Sequence, residues 1–289
     1  MSDIVATLAQ TVVERNILRP AAVAEGATSS WNASPMQARA LVAPASVDEV
    51  SDVLRHCHAA GQSIITQGGL TNCVEAVEPT ANDVVLSSES MTGIVEVDRV
   101  GGTAVVEAGA VLQNVQEAMA SEGLYFPLDL GARGSCTIGG NIATTAGGIN
   151  VLRYGMTRNL VLGLETVLAD GTVVSSLNRM LKNNAGYDTK QLFIGSEGSL
   201  GVVTRAVLRL FPQPKSRQNA RVARQRFDDV AALLGRQQAA VAGTLSAFEN
   251  LWGDYDHEVT GEGWQRAPLP RNQPFYVVFQ AEGSDPVTD

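Results

Sequence analysis

The stretch that decides the fold is PLDLGARGSCTIGGNIATTAGG, residues 127–148. From Gly139 to Gly148 it contains neither a charged nor an aromatic side chain. Glycine lets the backbone pass close to another group, whereas a segment that only filled a core would carry mainly Leu, Ile and Phe. The stretch therefore predicts a length of backbone that lies against a flat or extended ligand.

Two further glycine-bearing segments occur on either side of it, QGGLTNC at 67–73 and IGSEGSLGVVT at 194–204. Neither a GK[ST] sequence nor a GxGxxG between a strand and a helix is present, which excludes a P-loop and a Rossmann site. Successive backbone N–H groups can nevertheless bind a polyanion. Each segment alone is equally compatible with turns and tight packing, but three together favour a ligand site.

The composition is that of a globular protein. The 289 residues are 45% hydrophobic and 18% charged, which excludes a disordered chain, a coiled coil and a membrane-embedded protein. The net charge of −9 and the absence of a basic cluster argue against a nucleic-acid partner, and no apolar run is long enough for a membrane span. The three cysteines form no CxxC pair and the N-terminus has no leader pattern, so we predict free thiols in the cytoplasm.

Helical and strand patterns alternate without a regular βαβ repeat, so we predict an α+β fold. Ser46 and Gly61 are suited to begin and end a helix, and Asp170-Gly171 is a strong hairpin signal. The predicted helices are 47–60 and 111–122, and the predicted strands are 63–66, 84–86, 94–98, 103–107, 161–168, 173–175 and 201–210.

A domain boundary is predicted at FPQPKSRQ, residues 211–218, where prolines and polar residues interrupt the pattern. The first domain is then 1–214 and the second 215–289. The second is expected to contain helices near 227–234 and 245–255 and a strand at 275–280. Two helices and one strand bury too little surface to fold alone, so we interpret it as part of a larger domain.

Three runs carry a resemblance to a known family: LGARGSCTIGGNIATTAGGINVLRYG, VLGLETVLADGTVV and KNNAGYDTKQLFIGSEGSLGVVT. Together they resemble the PCMH-type FAD-binding domain of the vanillyl-alcohol oxidase flavoproteins. They are most similar to the FAD-linked 2-hydroxy acid dehydrogenases that act on D-2-hydroxyglutarate or D-lactate. The resemblance covers about 40–214, and a weaker one at 245–284 matches the start of the family's C-terminal cap. It implies two α/β subdomains followed by the beginning of a ferredoxin-like cap.

The resemblance also implies which residues hold FAD. The diphosphate would lie against 67–72 and 135–141, the flavin and its ribityl chain against 129–131 and 143–148, and the adenosine or ribityl side against 197–202. The residues carried over are Gln67, Gly68, Gly69, Leu70, Thr71, Asn72, Asp129, Leu130, Gly131, Ser135, Cys136, Thr137, Gly139, Gly140, Asn141, Ala143, Thr144, Gly148, Glu197, Gly198, Gly201 and Val202.

The first loop departs from the family's pattern. Leu70 and Asn72 stand where the family has Asn and Gly, and Glu75 replaces a later glycine. We expect Asn72 to adopt the left-handed conformation that a turn needs, and Glu75 to point away from a diphosphate. The histidines, His56, His58 and His257, lie outside the three segments, so FAD is expected to be non-covalently bound.

The implied reaction is oxidation of a D-2-hydroxy acid by hydride transfer to flavin N5, with a separate electron acceptor. Two alternatives stay open: an FAD-binding fragment or subunit that needs a missing C-terminal half or a partner for catalysis, and a fold that has lost the cofactor. The family's divalent metal could come only from a C-terminal region, because this chain has no metal-ligand set. A homodimer is compatible with the sequence.

Four side chains are candidates for the substrate side: Arg153, Lys182, Asn183 and Tyr187. Lys182 and Asn183 belong to a KNN-AGYD motif that resembles the family's. Surface pairing or loop capping explains these residues equally well.

Overall fold

A computed structural model describes residues 3–74, 76–241, 243–261 and 269–285. Glu75 therefore lies outside the described residues. The helices are α1 Ile4–Leu8, α2 Pro20–Val23, α3 Val47–Ala60, α4 Leu112–Ser121, α5 Ile138–Ala143, α6 Val151–Tyr154, α7 Thr157–Leu160, α8 Lys190–Phe193, α9 Phe227–Ala240 and α10 Gly253–Val259. The strands are β1 Ile17–Leu18, β2 Ala40–Val42, β3 Ile64–Gln67, β4 Val84–Ser87, β5 Ile94–Asp98, β6 Thr103–Glu107, β7 Leu124–Tyr125, β8 Val161–Val167, β9 Val173–Ser176, β10 Val202–Arg209, β11 Phe211–Pro212, β12 Ser216–Arg224, β13 Leu245–Trp252 and β14 Phe275–Gly283.

The chain divides into two compact units. Unit 1 contains 1–126, 131–146 and 157–212, and unit 2 contains 127–130, 147–156 and 213–289. Two short pieces of the glycine-rich region thus belong to unit 2. The domain boundary after residue 214 stays a prediction.

The first sheet of unit 1 has the strand order β1-β2-β4-β3, in which β2, β4 and β3 are parallel. Helix α3 leads into β3, as the sequence predicted, and follows β2, which was not predicted. The Ser46 hydroxyl accepts a hydrogen bond from the Glu49 N–H at 3.2 Å, and Gly61 ends the helix with a φ of 62°. Parallel strands share one direction, so the loops after β3 and β4 leave the same edge of the sheet.

The second sheet of unit 1 is antiparallel, with the order β5-β6-β10-β8-β9. The strands β5 and β6 have the predicted bounds. Gly171, with a φ of 85°, forms the predicted hairpin between β8 and β9. The predicted α+β class is therefore confirmed.

Unit 2 is built on a three-stranded antiparallel sheet in the order β12-β14-β13. Glu282 on β14 is completely buried, with 0% exposure. Its carboxylate accepts hydrogen bonds from Arg217 Nη2 at 2.7 Å and Tyr154 Oη at 2.9 Å. This cluster connects α6 to β12 and β14, which explains why 147–156 belongs to unit 2.

Two expectations for unit 2 were wrong. Residues 245–252 form strand β13 rather than a helix, because they pair with β14 from Leu245 to Trp252, and only 253–259 are helical. Residues 216–224 form strand β12 although the Pro-rich boundary gave no strand signal. Of the described helices, none is both long and apolar enough to span a bilayer.

Candidate functional site

The first glycine segment follows β3 and packs directly on the second. A Cβ on Gly69 would lie 2.0 Å from the Ser135 carbonyl oxygen, and a Cβ on Gly68 would lie 2.4 Å from Thr137 Oγ1. Both glycines are therefore required by close approach of one backbone to another. This contact brings together two of the three predicted segments.

Two carbonyl groups of this loop point toward residues 30 and 31. The Leu70 carbonyl accepts a hydrogen bond from the Ser30 N–H at 3.0 Å, and the Thr71 carbonyl accepts one from Trp31 Nε1 at 3.4 Å. In contrast, the backbone N–H groups of 68–72 have no acceptor among the described parts of the chain. A row of unbonded amides is a ready anion site, since each one must otherwise be satisfied by water or a ligand.

The Gln67 side chain makes a hydrogen bond inside unit 1. Its side chain is buried, with 5% exposure, and Nε2 donates to the Val77 carbonyl at 3.0 Å. The Gln67 side chain thus links the start of the loop to the backbone at Val77. Its predicted contact with the cofactor stays a prediction.

The second segment forms α5, which Thr137 caps by accepting the Gly140 N–H at 3.4 Å. The next two amides are already occupied: Ile138 N–H donates to the Ala110 carbonyl at 2.9 Å and Gly139 N–H to the Ala108 carbonyl at 2.7 Å. These two hydrogen bonds hold the start of α5 in place, so neither amide is available to a ligand. Its glycines provide a surface on which the first loop can lie.

The third segment packs on the other end of α5. Gly195 N–H donates to the Ile142 carbonyl at 3.1 Å, and Glu197 N–H donates to the Ala143 carbonyl at 3.0 Å. A Cβ on Gly198 would lie 2.5 Å from Thr66 Oγ1 on β3. The first and third segments and the part of the second segment that forms α5 therefore meet within unit 1.

Backbone strain is concentrated in the same segments. Among the described residues other than glycine, a positive φ occurs at Leu70 (53°), Thr145 (46°) and Glu197 (51°), one in or beside each segment. Such conformations cost about 1–3 kcal/mol each and cluster at functional sites. The left-handed residue of the first loop is Leu70 and not Asn72, so that expectation was wrong. The Leu70 side chain packs on an apolar cluster that contains Met36 and Val85, which offsets the strain.

A cavity of about 460 Å³ opens beside the first loop in unit 1. The sequence gave no signal for the residues at 26–36 that form part of its wall. Ser87 ends the parallel strand β4 and Glu89 comes just after it, so both could have been expected at its carboxyl end. The lining residues are Gly26, Ala27, Ser29, Ser30, Met36, Leu41, Gln67, Gly68, Gly69, Leu70, Ser87, Glu89 and Ser135.

The predicted flavin-side residues Asp129, Leu130 and Gly148 lie in unit 2. Gly148 has a φ of 77°, and a Cβ there would lie 2.1 Å from the Asp129 carbonyl oxygen. The Ile149 N–H donates to that carbonyl at 3.2 Å. The two short segments are thus held together, while the predicted Gly131, Ala143 and Thr144 belong to unit 1.

Gly201 and Val202, at the start of β10, have packing roles. A Cβ on Gly201 would lie 3.2 Å from the Phe193 ring, and Val202 packs on the core under α3. Their assignment to the cofactor stays a prediction.

The four substrate-side candidates are not assembled within one unit. Lys182, Asn183 and Tyr187 lie in an exposed stretch without helix or strand in unit 1, and Tyr187 is 97% exposed. Arg153 lies on α6 in unit 2, where its guanidinium binds the Glu282 carbonyl oxygen. Their roles in catalysis stay predictions.

The titratable groups near the site have identifiable environments. Burial raises the pKa of the Cys136 thiol, and Asn141 Nδ2 lies 3.6 Å from its Sγ, so this cysteine packs beneath α5. Burial also acts to raise the pKa of Glu165 on β8, but hydrogen bonds from Arg205 Nε at 2.7 Å and Thr204 Oγ1 at 2.9 Å outweigh it and hold that pKa below its ordinary value.

No group of three or more His, Cys, Asp and Glu side chains in the described ranges is arranged to hold a metal ion. His56 and His58 lie on exposed positions of α3, and His257 lies exposed on α10.

The loop amides without acceptors among the described residues and the small-residue helix α5 packed against them form a candidate anion-binding site. Residues 38–176 match the FAD binding domain family. The chain is 40% identical over 251 residues to the mitochondrial D-2-hydroxyglutarate dehydrogenase of Bos taurus, covering 87% of this chain and 46% of the relative. It is 36% identical over 278 residues to the mitochondrial D-2-hydroxyglutarate dehydrogenase of Arabidopsis thaliana, covering 96% of this chain and 50% of the relative.

Among solved structures, p-cresol methylhydroxylase with substrate bound superposes with a TM-score of 0.80 at 15% identity, covering 98% of this chain and 60% of the other. At that identity the likeness concerns the fold alone. The resemblance stated from the sequence is confirmed, and this chain spans about half the length of the two relatives.

The predicted cytoplasmic location is contradicted, because both relatives are named as mitochondrial proteins. Free cysteines indicate that a compartment is reducing, but they do not identify the compartment. The metal that the family resemblance implied finds no support in these comparisons.

Proposed function

We propose that this chain binds FAD without a covalent bond and acts in the oxidation of a D-2-hydroxy acid of the 2-hydroxyglutarate, lactate or glycolate class. The observation that carries the proposal is the row of unbonded N–H groups at 68–72 inside an FAD-binding domain. Hydrogen bonds to charged oxygens contribute about 1.5–3 kcal/mol each. The names of the two relatives support the substrate class.

The residues fit a flavin dinucleotide. Neutral amides of 68–72 suit the diphosphate, and Gly68 and Gly69 leave no Cβ between that loop and 135–137. Glu89 in the cavity wall accepts hydrogen bonds and so suits ribose hydroxyls rather than phosphate. Bound FAD would supply the hydride acceptor for the reaction and pass the electrons on to a separate acceptor. Since the histidines lie outside the three segments, a covalent link through histidine is not proposed.

The remaining predicted residues take their proposed roles from the family resemblance. Residues 129–131 and 143–148 accompany the flavin, and 197–202 accompany the adenosine or ribityl side. Arg153 and Lys182 have the charge that pairs with the carboxylate of a hydroxy acid. Asn183 and Tyr187 can donate hydrogen bonds to its oxygens.

Anaerobic reduction of the FAD-loaded chain tests the proposal. The purified chain is titrated with FAD and then mixed with D-2-hydroxyglutarate, D-lactate or glycolate, with L-2-hydroxyglutarate as the stereochemical control. We expect the visible flavin absorbance to fall with a D-acid and to persist with the L-acid. Bound FAD that none of the three acids reduces would refute the oxidation, and a chain that takes up no FAD would refute the whole proposal.

A further inference from the structure

Residues 26–36 form a compact strap that precedes the region matched to the FAD-binding family. Met36 N–H donates to the Gly26 carbonyl at 2.9 Å and Thr28 N–H to the Ser34 carbonyl at 3.0 Å. The Ser29 hydroxyl accepts the Asn32 N–H at 3.1 Å. Thr28, Ser29 and Met36 are buried, with exposures of 7%, 4% and 4%. The strap is therefore held in one conformation by its own contacts.

The strap contacts the first glycine loop and also Glu78, which follows that loop in the sequence. Ser30 N–H binds the Leu70 carbonyl at 3.0 Å, and Trp31 Nε1 binds the Thr71 carbonyl at 3.4 Å. Asn32 Nδ2 donates a hydrogen bond to Glu78 Oε1 at 2.7 Å. In addition, the Leu70 side chain packs on the cluster that contains Met36.

These contacts determine where the loop amides point. In a trans peptide the carbonyl and the following N–H point in opposite directions, and no cis bond occurs in the described chain. Because the carbonyls of Leu70 and Thr71 face the strap, the N–H groups of Thr71 and Asn72 face away from it. Both N–H groups lack an acceptor within the described ranges.

We propose that the strap, and Trp31 in particular, is a positioning element that orients the loop amides for the FAD diphosphate. This inference rests on the proposed FAD binding and deepens it. An amide that is already oriented loses less entropy on binding than one that must be ordered. The Trp31 side chain is 68% exposed, so its indole N–H, and not core packing, is the contact that a substitution removes.

Two variants test the strap. Trp31→Phe removes the indole N–H, and Asn32→Asp replaces the donor to Glu78 with a repelling carboxylate while retaining the Oδ1 that accepts the Ser34 N–H. Trp252→Phe, at a position that is 61% exposed in unit 2, is the matched control. Dissociation constants for FAD are measured by titration of the apo chain. Tm values and hydrogen exchange at 70–72 are measured on the same samples.

We expect Trp31→Phe and Asn32→Asp each to raise the Kd for FAD by about 2- to 10-fold, with faster exchange at 70–72 in the FAD complex. The Tm of Trp31→Phe should be unchanged, whereas repulsion between the introduced carboxylate and Glu78 lowers that of Asn32→Asp. Trp252→Phe should match the wild type in its Kd for FAD and in exchange at 70–72. Kd values that stay within twofold of the wild type in both variants would overturn the proposal, as would a Kd for Trp31→Phe that rises only together with a fall in Tm. Wild-type chain that binds no FAD would instead refute the proposed function, and the strap inference with it.

Discussion

Gly69→Ala is the sharpest perturbation of the candidate site. The added Cβ would lie 2.0 Å from the Ser135 carbonyl oxygen and 2.9 Å from Cys136 Cα, both backbone atoms that cannot rotate away. The first loop must therefore move by about 1 Å to restore van der Waals contact. Loss of one charge-assisted hydrogen bond to the diphosphate, about 1.5–3 kcal/mol, corresponds to about a 10- to 100-fold higher Kd for FAD.

Two further glycine variants should change the Kd for FAD less than Gly69→Ala does. Gly68→Ala meets Thr137 Oγ1 at 2.4 Å, the end of a side chain that can turn, so its Kd should rise less. Gly235→Ala on α9 meets no atom within 4 Å and should leave the Kd unchanged while stabilising the helix by up to about 1 kcal/mol. Fluorescence titration of the apo chain with FAD measures all three. If Gly69→Ala and Gly235→Ala bound FAD with the same Kd, the close approach of Gly69 to Ser135 would not be required for FAD binding.

Three other outcomes follow from the described contacts. The folded-state pKa of Glu165 lies below its ordinary value of 4.5, so the carboxylate contributes stability above the unfolded pKa and loses it as the pH falls through the folded pKa. Glu165→Gln should therefore flatten the decline of the urea midpoint as the pH falls below 4.5, and an unchanged slope would contradict this. Glu282→Ala leaves the Tyr154 hydroxyl without its carboxylate partner and should destabilise unit 2 by about 2–4 kcal/mol in a urea titration, whereas a loss below 0.5 kcal/mol, roughly the floor for such a contact, would count against the cluster. Cys73 is exposed while the other two cysteines are buried, so a thiol reagent should modify Cys73 first in the native chain, and fast reaction of all three would show that the cores are not closed.

Local signals predicted the elements whose bounds depend on a few residues. Ser46 and Gly61 supply both ends of α3, and Asp170-Gly171 supplies the turn between β8 and β9, so these elements could be predicted from the sequence. Strand β13 could not, because its pairing with β14 overrides a composition that is equally suited to a helix.

The candidate site was predicted in its segments but not in its details. Glycine content located the three segments, yet only the folded chain shows that the amides at the start of α5 are occupied by Ala108 and Ala110. The left-handed residue is Leu70 because an apolar cluster holds its side chain, a long-range effect that turn propensities do not contain. The strap at 26–36 could not be predicted from the sequence, because it has no periodicity or motif. Its proposed role depends on single hydrogen bonds to residues that are distant in the sequence.

The central claim is that the amides of 68–72 bind the diphosphate of FAD. Hydrogen exchange at Gly68–Asn72, measured residue by residue in the apo chain and with saturating FAD or riboflavin, tests it most directly, because riboflavin lacks the diphosphate. We expect FAD to slow exchange at these amides and riboflavin to leave it unchanged. Tight uptake of FAD with unchanged exchange at 68–72 would contradict it.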